Sequence, residues 1–347
     1  MKKFDVLYLH IGLEKTGTTS IQTFLNVNRG KLAKAGIFVP RSAGADNHKL
    51  LAAHAFNAGA QDIAVTSANV GNSPDEVAQF RSRVEGALAR EVAESDAHTA
   101  VISSEDYSRL FHREEVSRAL DLVRTLSDDV RVLVFLRRQD LLAVSRYYSL
   151  LLGGSMSGHV LPPDGAKVPR YYFYERNLRP WIEAVGPGKF RLVRFPERFG
   201  AEKFSSVVKF CEILGLSVSD FTLVKDQHVS LDAVNQLILH QYNVLRPGHD
   251  WIDTKRLVGR LHDMNDQRCK VFVSRRQASG FYEQFRESNR RLLTRLGAED
   301  QMFSEDFTMY PERNIRADFE KIAIRRLLEL LEMRESASCE ADEALQQ

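Results

Sequence analysis

Only three cysteines occur in 347 residues, Cys211, Cys269 and Cys339, an odd number, far apart and without CxxC spacing. That excludes a disulfide framework and a thiolate zinc site, and it fits a reducing compartment, the cytoplasm. Long apolar runs are missing as well. Nowhere do about 18 consecutive apolar residues stand together, so no transmembrane helix is expected. An excess of one charge is also lacking: 48 Lys and Arg stand against 46 Asp and Glu, a net charge of +2. Nothing global therefore draws the chain to nucleic acid or an anionic membrane, and any preference for anions has to be local. The start, from Met1 through Lys2 and Lys3 to His10, is basic, but its apolar stretch is short and passes into a Gly-Lys-Thr turn instead of a cleavage site. It is expected to be a first strand and not a leader.

What is present, 44% hydrophobic and 27% charged residues, suffices for a sizeable core. Val6–Leu9, Gly36–Pro40, Thr99–Ser103, Val130–Leu136 and Phe190–Phe195 read as strands. The run 130–136 is nearly continuous in apolar residues, as expected of a parallel strand buried on both faces. Helical spacing begins at Ser20, fills most of 47–94 with Phe80, Val84 and Leu88 on one face, and returns at 141–152. Strands alternating with helices predict an α/β fold of three layers, a central parallel sheet flanked by helices. Beyond Leu216 no strand is expected, and helical patterns near 231–246, 275–296 and 315–333 form a C-terminal helical annex. The expected organisation is a core over 1–215, an annex of the same domain over 216–335 and a frayed tail over 336–347. A Gly/Ser/Pro-rich stretch from Gly153 through His159 to Pro163 suits either a mobile loop beside a site or a plain surface connection.

The most informative residues are Gly12-Leu13-Glu14-Lys15-Thr16-Gly17-Thr18-Thr19-Ser20, between the first strand and the first helix. Glycines let successive N–H groups point into one cavity, and the helix N-terminus adds partial positive charge, which together make an anion site. Lys15 adds a full charge, and Thr18 and Thr19 add hydroxyl donors. A nucleotide triphosphatase loop, GxxxxGK[ST], places its Lys directly after the second glycine. Here Lys15 precedes Gly17 by two, and the strand at 130–136 runs into Arg137 and Arg138 where a magnesium-dependent enzyme would offer an acid.

On these residues the chain resembles the sulfotransferase superfamily that uses 3'-phosphoadenosine 5'-phosphosulfate (PAPS), whose phosphosulfate loop commonly contains Lys-x-Gly-Thr-Thr, here Lys15 to Thr19. The resemblance implies a P-loop-like fold, with Gly12, Lys15, Thr16, Gly17, Thr18, Thr19 and Ser20 around the 5'-phosphosulfate. The family's second motif pairs an Arg with a Ser eight residues later to hold the 3'-phosphate, here Arg137 and Ser145. Arg138-Gln139 stands where many members have Asn-Pro, which leaves Arg138 a rival for the Arg137 role. A later stretch, Phe285 to Leu292, resembles an element that closes over the cofactor in bacterial members.

The implied activity is in-line transfer of a sulfuryl group from PAPS, as co-substrate, to an acceptor hydroxyl or amine, without a metal. Analogy with the glycan-modifying branch points to a carbohydrate or glycoconjugate acceptor. Lys15 is the expected catalytic cation on the leaving oxygen. The base is expected at Glu105, at the carboxyl end of a strand, or at His48, whose imidazole titrates near neutrality. His10 reads as a packed strand residue, while Arg109, Arg146, Tyr147 and Tyr148 are candidates to touch substrate. No carboxylate joins His48 and His54 in a metal site, and the pairs Arg275-Arg276 and Arg290-Arg291 read as solvated helix faces, not as a nucleic-acid surface. A P-loop small-molecule kinase and a catalytically silent PAPS-binding protein are the competing functions.

Overall fold

A computed structural model describes residues 4–44, 46–163, 165–197, 204–223, 230–248, 251–266, 271–298 and 301–327. In chain order its regular elements are β1 (Val6–His10), α1 (Thr18–Val27), α2 (Arg29–Lys34), β2 (Ile37–Phe38), α3 (Lys49–Ala55), α4 (Ile63–Ser67), α5 (Pro74–Ala93), β3 (Thr99–Ser103), α6 (Arg113–Arg124), β4 (Val130–Leu136), α7 (Gln139–Leu152), α8 (Tyr174–Val185), β5 (Phe190–Arg194), α9 (Ser206–Leu214), α10 (Ala233–Leu245), α11 (Trp251–Asp263) and α12 (Arg275–Arg295). A 3-10 turn, Glu105–Arg109, follows β3, and residues 316–327 are helical. Cys269, Cys339 and the tail over 336–347 lie outside the described residues.

Chain contacts group the residues into two compact units. The first comprises Met1–Arg138, Val168–Gln227 and Phe285–Ser304, the second Gln139–Lys167, His228–Gln284 and Glu305–Gln347. The first holds the sheet, five parallel strands in the order β2-β3-β1-β4-β5. Central β1 pairs His10 with Ser103 of β3 and with Leu133 of β4, so the loops after β1, β3 and β4 leave from the same edge, where α/β proteins bind ligands. The expected α/β architecture and all five strands are present. On one face Ile21, Phe24, Leu25, Leu32, Val207 and Phe210 pack with Val101, Leu133 and Phe135 in a closed core, as the alternation of strand side chains dictates. Helices α6 and α8 lie against β4 as well.

Local sequence explains the helix ends. At α5, Ser73 accepts from the Glu76 N–H while the Glu76 carboxylate accepts from the Ser73 N–H, with Pro74 opening the helix, a reciprocal cap that satisfies two of the otherwise orphan donors. Phe80, Val84 and Leu88 form its buried stripe, together with Val77 and Val92.

The second unit, by itself, is helical. Asn243 of α10 donates to the Leu151 and Ser155 carbonyls at the end of α7 (2.8 and 3.0 Å). Asp232 caps α10 and pairs with Arg326 at 2.9 Å, both largely buried, and the Tyr310 hydroxyl donates to Asp140 at 2.7 Å. Among the described residues no strand follows Arg194, and no helix is long and apolar enough to cross a membrane.

Candidate functional site

The loop between β1 and α1 owes its shape to two left-handed residues, Lys15 (φ 65°) and Gly17 (φ 81°). Gly17 carries the conformation without strain, whereas a side chain there would place its Cβ 2.3 Å from Ser206 Oγ. Lys15 pays a steric cost of about 1–2 kcal/mol for the same geometry. Gly12 is held small for a different reason, since a Cβ would lie 2.3 Å from Thr18 Cγ2. Alternating conformations of this kind turn N–H groups to one side, and α1 begins at Thr18 with no side-chain cap, leaving its first donors to an external partner.

The side chains divide into those that build the loop and those that face outward from it. Thr16 is fully buried and its hydroxyl donates to the Leu13 carbonyl at 2.5 Å. Its share in anion binding is therefore left to its backbone N–H. Ser206 Oγ donates to the Gly17 carbonyl at 3.2 Å. Thr18 and Lys15 make no side-chain hydrogen bond with any described residue, Thr19 is exposed, and Ser20 is half-buried. Burial first, then the neighbouring Arg137 charge, hold the Lys15 ammonium below the usual lysine value, with Glu14 offsetting part of the effect. Two close cations of this kind repel, and an anion between them removes the penalty.

Arg137 and Arg138 leave β4 in opposite directions. Arg137 approaches the loop, with Nη1 3.4 Å from the Lys15 carbonyl and its guanidinium over the Phe195 ring at 5.2 Å. Arg138 is fully buried and donates to the Ser304 carbonyl at 2.9 Å, with Glu197 3.5 Å away. Of the two rivals, Arg137 is the one beside the anion loop. Ser145 lies half-buried on α7, in the second unit.

Glu105 opens the turn after β3. Its carboxylate accepts from Gln22 Nε2 at 2.5 Å, and Gln22 stands one helical turn beyond Thr18, on the same face of α1. Burial raises the Glu105 pKa above the usual carboxylate value, against the lowering effect of the Gln22 bond. The arrangement sets a carboxylate of increased basicity beside the helix that carries the loop's hydroxyls.

His48 has different surroundings. It is 2% exposed, its Nδ1 accepts the Ser103 N–H at 2.9 Å, and the ring also bonds the Pro40 backbone. With Nδ1 an acceptor, Nε2 carries the proton and donates to the Pro40 carbonyl, so both nitrogens are committed. Burial and the Arg29 charge push its pKa down to about 3. His48 ties the β2 connection to β3 and has no lone pair to spare for an acceptor. His10 is buried likewise, with Nδ1 2.8 Å from Ser103 Oγ and its pKa lowered to about 3. Arg109 donates to both Asp62 oxygens (2.8 and 3.0 Å), to Asp106 at 2.5 Å and to Glu14 at 3.1 Å. It clamps the loop to the β3 turn, and its pKa is raised by these carboxylates.

Gln22 and the Arg109 clamp escape a reading of sequence because their partners lie 83 and 47 residues away. The later element, Phe285 to Leu292, packs inward: Phe285 is fully buried against Tyr172 and Phe173, with ring centroids 5.7 and 5.1 Å apart. Tyr147 and Tyr148 are buried on α7. Arg290 and Arg291 both pair with Glu287 on the exposed face of α12. Among the described residues no group of three or more His, Cys, Asp or Glu is placed to hold a metal.

A parallel sheet whose central strand runs through a glycine-containing turn into a helix defines an α/β protein of P-loop-like fold. Solved structures similar to this chain include the sulfotransferase from Alicyclobacillus acidocaldarius, 13% identical over 86% of this chain and 98% of that one with a TM-score of 0.42. Others are the sulfotransferase domain from the Synechococcus PCC 7002 olefin synthase (14% identical, 76% and 96% covered, TM-score 0.36) and the sulfotransferase domain from the curacin biosynthetic pathway (11%, 76% and 99%, 0.35). No protein-family model matches the chain, and no curated protein matches it. With TM-scores below 0.5 these likenesses carry no residue role to this chain, and the roles proposed next rest on its own motifs and geometry.

Proposed function

We propose that the chain is a sulfotransferase that moves the sulfuryl group of PAPS to an acceptor hydroxyl or amine, with a carbohydrate or glycoconjugate as the acceptor class and the cytoplasm as its compartment. The observation that carries this reading is the Lys15 loop. Its ammonium is partly buried, lacks a partner among the described residues, and sits beside Arg137. A kinase loop keeps its Lys one residue after the second glycine, and Thr18 occupies that place here.

The donor supplies an activated sulfur with adenosine 3',5'-bisphosphate as its leaving group. Backbone N–H groups of the loop, Thr18 and Thr19 hold the 5'-phosphosulfate, and Arg137 takes the 3'-phosphate, a role for which a guanidinium is suited. Glu105 accepts the acceptor's proton as the new oxygen–sulfur bond forms, and burial supplies the basicity that a carboxylate otherwise lacks. Lys15 stabilises the charge that builds on the departing oxygen, a contribution worth about 100–1000-fold for a preorganised donor. The proton ends on Glu105 and the electron pair of the broken sulfur–oxygen bond on the bisphosphate. No step needs a metal.

Isothermal titration with adenosine 3',5'-bisphosphate, ADP and Mg-ATP tests the donor without knowledge of the acceptor. Metal-independent binding of the bisphosphate in preference to ATP is expected. Preference for Mg-ATP replaces this reading with a kinase. Bisphosphate binding without transfer to any acceptor from labelled PAPS leaves a silent binding protein.

A further inference from the structure

We propose that the second unit carries its own binding site for a small organic oxyanion, a carboxylate or phosphate on an uncharged polar body, in a cavity of about 400 Å³ under the loop 158–163. The cavity falls within the size range of small-molecule sites. It stands whether or not the first unit takes a sulfuryl donor.

Two amide side chains of the lining, Gln277 and Asn314, have oxygens that are already used. Gln277 Oε1 accepts from the Ser274 N–H (2.9 Å), Ser274 Oγ (3.1 Å) and Asn314 Nδ2 (3.0 Å). That fixes the amide so that its NH2 group donates to no described residue. Asn314 Oδ1 accepts the Arg316 N–H at 2.9 Å. Arg276, also in the lining, makes no ion pair or side-chain hydrogen bond with any described residue. Among the described residues no Asp or Glu lines the cavity. A wall that offers guanidinium and amide N–H groups, with the side-chain oxygens of Gln277 and Asn314 occupied, fits an oxyanion.

The site is also preformed. Arg316 is held by the Gly158 carbonyl at 2.6 Å, by Glu320 at 3.0 Å and by the Phe272 ring at 5.6 Å. The loop above it is pinned along its start: the Ser155 carbonyl accepts from Asn243, Met156 from His240 at 3.0 Å and Gly158 from Arg316. The buried rings of Phe272 and Phe281 supply an apolar wall for the ligand's body. The ordering cost of binding is thus largely met before the ligand arrives.

Titration of the full chain with glucuronate, glucose 6-phosphate, inorganic phosphate and glucose tests the site, each with and without saturating adenosine bisphosphate. Saturable binding of glucuronate or of glucose 6-phosphate, tighter than inorganic phosphate and glucose, is expected, and the stronger of the two identifies the anionic group. Arg276→Gln, at an exposed position that leaves the fold intact, should weaken that binding by about tenfold or more, while bisphosphate binding stays unchanged. The proposal is overturned by the absence of saturable binding, by equal binding of glucose, by an unchanged affinity in Arg276→Gln, or by full competition from adenosine bisphosphate, which would assign the anion to the first unit's loop.

Discussion

Two polar clusters sit at the same edge of the sheet and differ in saturation. In the first, each nitrogen of the Arg109 guanidinium reaches a carboxylate, and His48 uses both ring nitrogens on the backbone of Ser103 and Pro40. In the second, Lys15 is half-buried without a partner among the described residues, and Glu105 is left with a raised pKa that one Gln22 bond does not restore. Buried polar groups that are satisfied hold a fold together, whereas those left with unused capacity are costly to keep and mark where a ligand completes them. On the proposed function, the saturated cluster is scaffold and the unsaturated one is site.

Breaking the unsaturated cluster should cost activity and little stability. The largest effect is expected at Glu105→Gln, with turnover down by about 100–10,000-fold as the base is lost. In the parent protein the rate rises with pH as the raised Glu105 pKa is passed, and this limb disappears in the variant. Gln22→Ala sharpens the point: without the bond that lowers the Glu105 pKa, the limb moves to higher pH, which a purely structural Gln22 would not cause. The sign for stability is opposite. A carboxylate whose pKa is raised in the folded state destabilises it increasingly as pH climbs from the unfolded value through the folded one. Glu105→Gln should therefore be at least as stable as the parent at neutral pH in a thermal melt.

Next comes Lys15→Ala, for which a loss of about 100–1000-fold in transfer is expected while bisphosphate still binds. Turnover equal to the parent's would remove Lys15 from the mechanism and with it the contrast between the clusters. Ser145→Ala is the separate check on the residue that only the sequence resemblance singles out, and loss of affinity for adenosine bisphosphate but not AMP is the expected signature.

His48→Ala breaks the saturated cluster instead. It strands the Ser103 N–H, and an orphaned buried donor costs about 1–3 kcal/mol. The melting temperature should fall while the transfer rate of the folded fraction holds. The pKa gives a second readout. A histidine lowered from 6.5 to about 3 contributes stability that is present above pH 6.5 and fades as pH falls toward 3. His48→Gln should therefore show a shallower loss of stability across that window. A matching loss of turnover without loss of stability would return His48 to candidacy as the base.

This contrast explains what the sequence makes legible. Parallel strands buried on both faces are continuous apolar runs, so β3 at Thr99–Ser103 and β4 at Val130–Leu136 stand at the expected residues. The anion loop is local and shows in its glycines and Lys15. Helix α9, capped by Ser205 and ended by left-handed Gly215, had local signals too, although its nine residues are too few for periodicity to stand out. Saturation is another matter. The bond from Ser103 to His48 spans 55 residues and exists because of where β3 leaves its neighbours, so sequence alone prefers Glu105 to His48 and Arg137 to Arg138 but leaves both rivals standing.

The smallest expected effect tests whether strain belongs to the site as well. Lys15 holds φ at 65°, a geometry that disfavours any residue with a Cβ, and Ala in its place keeps that strain. Lys15→Gly removes about 1–2 kcal/mol of it and gives back roughly half through the greater freedom of glycine in the unfolded chain. Both variants lack the ammonium and should be equally inactive, yet the glycine variant should be the more stable by about 0.5–1 kcal/mol in denaturant titration. Equal stability would mean that the loop relaxes once the lysine is gone, and that the fold around it does not enforce the left-handed turn.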